Sequence, residues 1–293
     1  EDIAMNNEPT AETFFNLAVI YSALGEIKNA IPAYEKALEL DDEMAEAYYS
    51  VGRLYYAKEE YQLAKENLEK ALKYKELNIS TFSELILGLP GETYESFVQG
   101  INILLVNGQH FGIGIYPCEL LLNSKMSNKN YIENFAIKST KVPFRLIHSL
   151  KKDTKDQITE YSEYVTSTYS MNEEQWAKSL LFSNYVQGLH NLGILRAAAI
   201  YICNEYKISY SDFYQKLIDW SAKNQDTLLH KIYSDINKLC FGIISQENEM
   251  FVTFEETGDI LWPFDELLYL QCFSHIETFY KEIKSFITSC FED

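Results

Sequence analysis

The chain has 293 residues, with 25 Lys and Arg against 43 Asp and Glu, a net charge of −18. That charge repels phosphate backbones, and with no basic stripe to offset it nucleic acid is excluded as the expected partner. An apolar content of 47% and a charged content of 23% exclude wholesale disorder and leave room for one large domain or two ordinary ones. The longest apolar run, Ile194 to Cys203, is interrupted by Arg196 and falls well short of the roughly 20 residues of a membrane helix, so no membrane span is expected. Cys118, Cys203, Cys240, Cys272 and Cys290 are odd in number and widely spaced. They fit reduced thiols better than a disulfide framework, and a cytoplasmic location is expected. The first residues are acidic and polar, unlike a signal peptide, and a start at Glu1 instead of Met reads as a truncated or processed piece.

The first eighty residues carry an internal period. Ala11-Glu12-Thr13-Phe14-Phe15-Asn16-Leu17-Ala18 aligns with Ala45-Glu46-Ala47-Tyr48-Tyr49-Ser50-Val51-Gly52 at an offset of 34. At the same offset Tyr21 meets Tyr55, Ala30 meets Ala64, and Ala37 meets Ala71. Apolar residues recur at spacings of three and four, broken at Leu24-Gly25-Glu26 and at Lys58-Glu59-Glu60, so each unit reads as two helices. Small residues at Ala18, Gly52, Ala30 and Ala64 let paired helices approach closely.

This pattern resembles the tetratricopeptide repeat family. Phe14, Leu17, Ala18, Tyr21, Gly25, Ala30, Tyr34 and Ala37 sit at its signature positions, while Asp42 and Glu76 stand where the family usually has Pro. The resemblance implies a groove that receives a protein or peptide partner, faced by Phe15, Val19, Ser22, Tyr49, Arg53 and Tyr56. The alternative is that these side chains pack against a neighbouring repeat or domain, because two repeats bury little core and about three are usually needed.

Around Lys73-Tyr74-Lys75-Glu76-Leu77-Asn78-Ile79 the helical period ends. Ser83 to Leu87 reads as a buried strand that runs into the turn Gly88-Leu89-Pro90-Gly91-Glu92-Thr93. A helix opening at Tyr94 carries Phe97, Ile101, Leu104 and Leu105 on one face and ends at Asn107-Gly108. His110 to Pro117 follows as a second strand. Strand, helix, strand makes a parallel βαβ unit, with functional loops expected at the C-terminal ends of the strands. The glycine turn offers backbone for close approach of a ligand and places Glu92 at a helix start. Equally, it is a structural turn in which Glu92 stabilises that helix N-terminus.

The run Glu84-Leu85-Ile86-Leu87-Gly88-Leu89-Pro90-Gly91-Glu92-Thr93 resembles the fifth strand and turn of radical S-adenosylmethionine (SAM) enzymes, in the branch with an N-terminal cobalamin-binding domain. Ile113 to Met126 is similar to the sixth strand and loop of that branch. Tyr161-Ser162-Glu163, Ser170-Met171 with Trp176, Leu189 to Gly193, and Gly258 to Pro263 resemble its C-terminal region. The resemblance implies a 4Fe-4S cluster, S-adenosylmethionine and cobalamin as cofactors. It also implies methyl transfer or radical rearrangement and cyclisation on a small-molecule substrate. Leu85, Ile86 and Gly88 would then line the adenine end of S-adenosylmethionine, and Tyr116 and Glu119 would stand at the mouth of the substrate cavity.

The cluster needs three Cys at C-x3-C-x2-C spacing, and no two cysteines here lie closer than the 18 residues between Cys272 and Cys290. The repeats occupy the place of the first four barrel strands and the cobalamin domain. Cluster assembly by this chain is therefore not expected, and a fusion of repeats to the back part of such an enzyme is. Cys272-Phe273-Ser274-His275 has two ligand types but no second pair, and His190, flanked by Leu189 and Leu192, reads as a satisfied core histidine. Cys118-Glu119 has no His placed by sequence to activate the thiol.

Farther along, Met171 to Glu174 opens a helix through Trp176, Leu180, Leu181 and Tyr185. Ser209, Ser211 and Asp212 offer caps for a helix carrying Phe213, Leu217 and Trp220. Phe251 to Phe254 and Ile260 to Trp262 read as a hairpin. One last helix from about Phe264 to Thr288 bears a stripe through Leu267, Leu270, Phe273, Ile276, Phe279, Tyr280, Ile283 and Ile287. The expected fold is mainly α with a small α/β part: a two-repeat helical array, a partial parallel βαβ barrel, and an α-rich C-terminal region with a β-hairpin. The expected division is a tail over 1–10, repeats over 11–77, a partial barrel over 78–145 and a helical region over 146–293. Two functions follow: the C-terminal portion of a cobalamin-type radical SAM enzyme, inactive by itself, or a repeat scaffold without catalysis.

Overall fold

A computed structural model describes residues 9–23, 26–58, 60–73, 82–151, 159–245 and 249–291. The chain forms two compact units, Glu1–Thr81 and Phe82–Asp293. The described residues are 62% helical with a few short strands, and among them the small sheets do not close into a barrel. No helix among the described residues is long and apolar enough to cross a membrane.

The first unit is a helical array of α1 (Ala11–Ala23), α2 (Ile27–Leu40), α3 (Ala45–Ala57) and α4 (Tyr61–Lys73). Its core is small residues against aromatics: Ala18, Ala30 and Ala47 are fully buried beside Tyr34 and Val51. A larger side chain at these alanines would hold the helices apart. Gly25, Glu59, Tyr74 and the end of the helical period at 74–79 lie outside the described residues, as do the side chains of Ala64 and Ala71.

The second unit opens with β1 (Ser83–Leu87), α5 (Tyr94–Val106) and β2 (Ile113–Pro117). β1 and β2 pair in parallel, with Ser83 opposite Ile113 and Leu87 opposite Pro117. Thr93 caps α5 reciprocally with Ser96, which ties the helix start to the turn after β1. Phe97, Ile101 and Leu105 of α5 cover one face of the pair together with Leu87, Ile113 and Ile115. The other face is open, so β1 is not the buried strand its composition suggests: Glu84 is exposed and Ile86 is 48% exposed. The second strand begins at Ile113, because His110 to Gly112 turn the chain into it.

A short α6 (Lys129–Asn134) leads to β3 (Lys138–Pro143), which pairs antiparallel with β4 (Tyr161–Ser167). The remainder is helical: α7 (Glu173–Tyr185), a π-helical stretch Val186–Asn191, α8 (Arg196–Tyr206), α9 (Tyr210–Lys223) and α10 (Leu228–Ile244). Asn172 caps α7 with Gln175, and Ser209 caps α9 through the Asp212 amide. The hairpin of β5 (Phe251–Phe254) and β6 (Gly258–Pro263) forms as expected. The last helix does not run through. It divides at His275 into α11 (Phe264–Ser274) and α12 (Ile276–Phe291). The His275 amide closes α11 on the Cys272 carbonyl, and its carbonyl accepts from Phe279 to start α12. The break shifts the phase of the stripe, so Cys272, Phe279, Ile283 and Phe286 are buried, whereas Phe273 is 58% and Tyr280 48% exposed.

Candidate functional site

The turn after β1 sits at the C-terminal end of the parallel pair. Gly88 has φ +99°, which favours glycine, and a Cβ there would lie 3.1 Å from the Val165 carbonyl oxygen and 3.3 Å from Trp176 Nε1. Glycine at 88 is thus demanded by the turn and by the buried Trp176 behind it, which the ligand-approach reading of this residue did not foresee. Trp176 Nε1 finds no hydrogen-bond acceptor among the described residues. Gly91, with φ +96°, donates its amide to Ser170 Oγ at 2.9 Å, which latches the turn to the connection between β4 and α7.

Glu92 donates its amide to the Leu89 carbonyl, and its side chain accepts from the Gly88 amide at 3.4 Å. Burial pushes its carboxyl up to about 6, opposed by that hydrogen bond. The helix start itself is capped by Thr93. The glutamate therefore closes the turn.

Leu85 is half-buried and packs toward the core, whereas Ile86 shares the open face with Tyr116, 51% exposed, in direct register. The Tyr116 ring folds over Gly114, where a Cβ would come within 2.8 Å of it. Glu119 is exposed and lines a cavity of about 560 Å³ with Leu121, Leu122, Lys141, Tyr161 and Glu163. Tyr116 is not among its lining residues. Ser139 Oγ donates to Glu163 at 2.6 Å, and Lys141 lies 4.0 Å from the same carboxylate. The cavity wall is therefore acidic with an apolar rim, and Leu122 is 87% exposed.

Behind the sheet runs a buried polar chain that the sequence showed only at His190. His110 Nδ1 lies 3.0 Å from His190 Nε2, and His190 Nδ1 lies 2.9 Å from the Tyr214 hydroxyl. Burial, then His110 and Arg196, lower His190 to about 3, so it is neutral. Arg196 donates to the carbonyls of His190 and Asn191 and covers the Phe111 ring at 4.3 Å. Fixed in this way, the π-helical stretch presents two amides to β2. Gln187 Oε1 accepts from the Ile115 amide at 2.8 Å and Asn191 Oδ1 from the Ile113 amide at 3.2 Å. Gly188 lets α11 approach the same stretch closely, since a Cβ there would meet the Asp265 carbonyl at 2.5 Å.

The groove-facing candidates of the first unit differ in exposure. Val19 (42%), Tyr49 (40%) and Tyr56 (63%) are exposed, as is Arg53, whose guanidinium lies 5.7 Å from the Tyr49 ring centroid. Phe15 is half-buried, edge-on to Tyr34 at 5.6 Å, and Ser22 is half-buried.

The residues present do not fit an iron–sulfur cluster. Cys203, Cys240 and Cys272 are buried in the large helical core, and Cys118 lies in a separate small cluster with Leu120, Ile137 and Val165. Burial pushes the Cys203 thiol up to about 12 and raises Cys118, Cys240 and Cys272, the opposite of what a thiolate ligand needs. The Cys118 thiol contacts Met126 sulfur at 3.7 Å, and His275 is exposed while Cys272 is buried. Among the described residues no group of three or more His, Cys, Asp or Glu is placed to hold a metal ion.

Comparison with known proteins finds different relatives for the two ends of the chain. The tetratricopeptide repeat family model matches residues 11–44 and again 45–76. Neutrophil cytosol factor 2 of Bos taurus is 35% identical over 65 residues, 22% of this chain and 12% of its own length. The cobalamin-dependent radical SAM methyltransferase TokK of Streptomyces tokunonensis is 28% identical over 229 residues, 74% of this chain and 33% of its own length. The 2-(S-pantetheinyl)-carbapenam-3-carboxylate methyltransferase of Streptantibioticus cattleyicolor matches to the same extent, 28% over 229 residues. The chain spans about one third of the length of these two curated relatives. The N-terminal unit is thus a pair of tetratricopeptide repeats, and the C-terminal region is similar to cobalamin-dependent radical SAM methyltransferases.

Proposed function

We propose that the second unit is the C-terminal portion of a cobalamin-type radical SAM enzyme that transfers a methyl group or rearranges its substrate, and that the repeats dock a protein partner. The observation that carries the reading is the 28% identity to two such methyltransferases over 229 residues. The open, partly apolar face in front of the Gly88 turn supports it. In this reading Leu85, Ile86 and the Gly88 backbone receive the adenine end of S-adenosylmethionine, and Tyr116 and Glu119 border the substrate. When bound, that cofactor supplies the radical or methyl donor; this chain's part is to hold and orient. The iron–sulfur cluster and cobalamin have no ligands assigned in this chain, so catalysis requires polypeptide beyond the residues present. The expected partition into repeats at 11–77, barrel part at 78–145 and helical part at 146–293 belongs to the same proposal. Phe15, Val19, Ser22, Tyr49, Arg53 and Tyr56 are proposed as the partner-facing set of the repeats.

Anaerobic reconstitution with iron and sulfide, followed by titration with S-adenosylmethionine, tests the reading. The expected result is no stoichiometric iron, with weak cofactor binding that is lost on Gly88→Val. About four irons per chain would overturn the argument from the buried thiols. Absence of any cofactor effect on the Gly88 and Ile86 amides would leave a scaffold whose enzyme-like part is structural, the second reading.

A further inference from the structure

After β3 the chain from Phe144 to Lys151 crosses to the outer edge of β6 as a strap. His148 donates its amide to the Leu261 carbonyl at 2.9 Å, and Leu261 returns its own to the Ser149 carbonyl at 2.9 Å. Lys151 donates to the Asp259 carbonyl at 2.7 Å. β6 is thus paired with β5 on one side and with the strap on the other. Packing does little to hold the strap, since every side chain from Phe144 to Lys151 is exposed or half-buried. His148 also stands at φ +59°, a left-handed conformation unfavourable for a residue with a Cβ.

Two side-chain ties hold this segment down. Arg145 makes its two-pronged pair with Glu249, and that pair keeps its positive partner at any ordinary pH because guanidinium does not titrate. The other tie is His148 Nε2, 2.7 Å from Glu266 Oε2 in the first turn of α11, with the imidazole 4.9 Å from the Trp262 ring. It depends on the one side chain type that ordinarily changes charge between pH 5 and 8. The charged groups on the elements packed against His148 are Glu266 and Asp265 on α11 and Asp259 on β6, with Arg145 and Lys151 on the strap itself. Burial, then Glu266, push Asp265 up to about 6, while the amides at the helix start and His148 oppose the shift. Above that value two neighbouring carboxylates are charged, and a neutral His148 offsets neither.

We infer that the strap is a pH-sensitive closure of the β6 edge, clasped while His148 is protonated and released as it loses that proton. An imidazolium attracts Glu266 through a charge-assisted hydrogen bond, and a neutral ring leaves only the weaker neutral donor. Asp265 acts in the same direction. The folded chain holds its proton more tightly than the unfolded one, so the stability it contributes also falls as pH rises through 6. Release bares the Leu261 amide and the Asp259 carbonyl, and it lets His148 leave its left-handed conformation. The device does not rest on the enzyme reading.

Amide hydrogen exchange of the full chain at pH 5.5 and pH 8, corrected for intrinsic rates, tests the clasp. Protection at His148, Lys151 and Leu261 is expected to be about threefold lower at pH 8, the size of effect a partly exposed pair supports. The Val165 amide, which donates to the Cys118 carbonyl, is expected to keep its protection and reports that the unit is intact. His148→Gln and Glu266→Gln are each expected to give the lower protection at both pH values. Arg145→Gln is expected to lower protection at both and to keep the threefold difference. Salt at about 1 M is expected to cost the native strap more protection at pH 5.5 than at pH 8. This arm needs no variant, so it decides the matter where a substitution also loses Val165 protection. Equal protection of the native strap at the two pH values overturns the inference. So does a threefold difference that survives both His148→Gln and Glu266→Gln, or an equal loss to salt at both pH values.

Discussion

In the repeat unit, each buried alanine meets a helix close by in the chain: Ala18 faces the α2 residues Ala30 and Tyr34, and Tyr55 donates to Glu35 across 20 residues. In the second unit the fixing contacts join distant segments. Tyr94 donates to Gln215, the Leu228 and Leu229 amides donate to Glu282, and Arg145 makes a two-pronged pair with Glu249 at 3.0 Å. The first unit is a small-residue helix stack that tolerates change along its outer surface. The second holds one large core around Trp176, so disturbance at one element reaches the others.

The most severe test of that contrast is Trp176→Ala. The side chain is fully buried against the Gly88 turn, and its loss is expected to cost about 3–5 kcal/mol. Hydrogen exchange should show lost protection over β1, β4 and α7 together, with Ala30–Ala37 unchanged. Loss of protection in both units at once would break the comparison. The reverse experiment is Ala30→Leu, which overpacks a fully buried position and is expected to cost about 1–3 kcal/mol. It should loosen α1–α3 and leave Trp176 fluorescence unchanged; a shift in that fluorescence would show that the units share a core.

These substitutions also separate what the sequence carried from what it did not. The repeats were legible because their packing is periodic and local, so alanines at an offset of 34 mark helix crossings directly. β1, α5 and β2 were legible from a glycine turn, a Thr93 cap and short apolar runs. β3 was not, since Lys-Ser-Thr-Lys-Val-Pro has hardly any apolar alternation and owes its pairing to β4, which begins at Tyr161 opposite Pro143. The break at His275 has no Gly or Pro to announce it, and it is set by which side chains the core accepts. Nothing local marks Gln187 and Asn191 as edge caps, because their role exists only once a π-helical stretch lies beside β2. Of the candidate site, Gly88 was singled out for a ligand, yet its first constraint, Trp176, stands 88 residues downstream.

A third prediction uses the buried histidine to sharpen the contrast. His190 falls to about 3 in the folded state against an ordinary value of 6.5, so the unfolded chain binds a proton that the folded chain refuses. Stability from this residue is present above 6.5 and is lost as pH falls toward 3. By pH 5 the loss is about 2 kcal/mol. The stability gap between the native chain and His190→Gln, measured in urea at pH 7 and pH 5, is expected to narrow by that amount. An unchanged gap would mean that the His110–His190–Tyr214 chain takes up a proton without cost.

The smallest effect, of opposite sign, belongs to Glu92. Its carboxyl sits at about 6 in the folded chain against an ordinary 4.5, because burial disfavours the charge more than the Gly88 amide favours it. Here the folded state holds the proton more tightly, so stability falls as pH rises from 4.5 through 6 and stays lower above it. The side chain is partly exposed, and solvent screening reduces the expected penalty to about 1 kcal/mol at pH 7. Glu92→Gln keeps an acceptor for the Gly88 amide and carries no charge. It is therefore expected to stabilise the second unit by about that amount at pH 7 and to have little effect near pH 4.5. Urea midpoints at the two pH values decide it. Equal effects at both would place the cost in the shape of the turn, and a destabilised variant at pH 7 would make the charged carboxylate a support of the Gly88 turn instead of a burden on it.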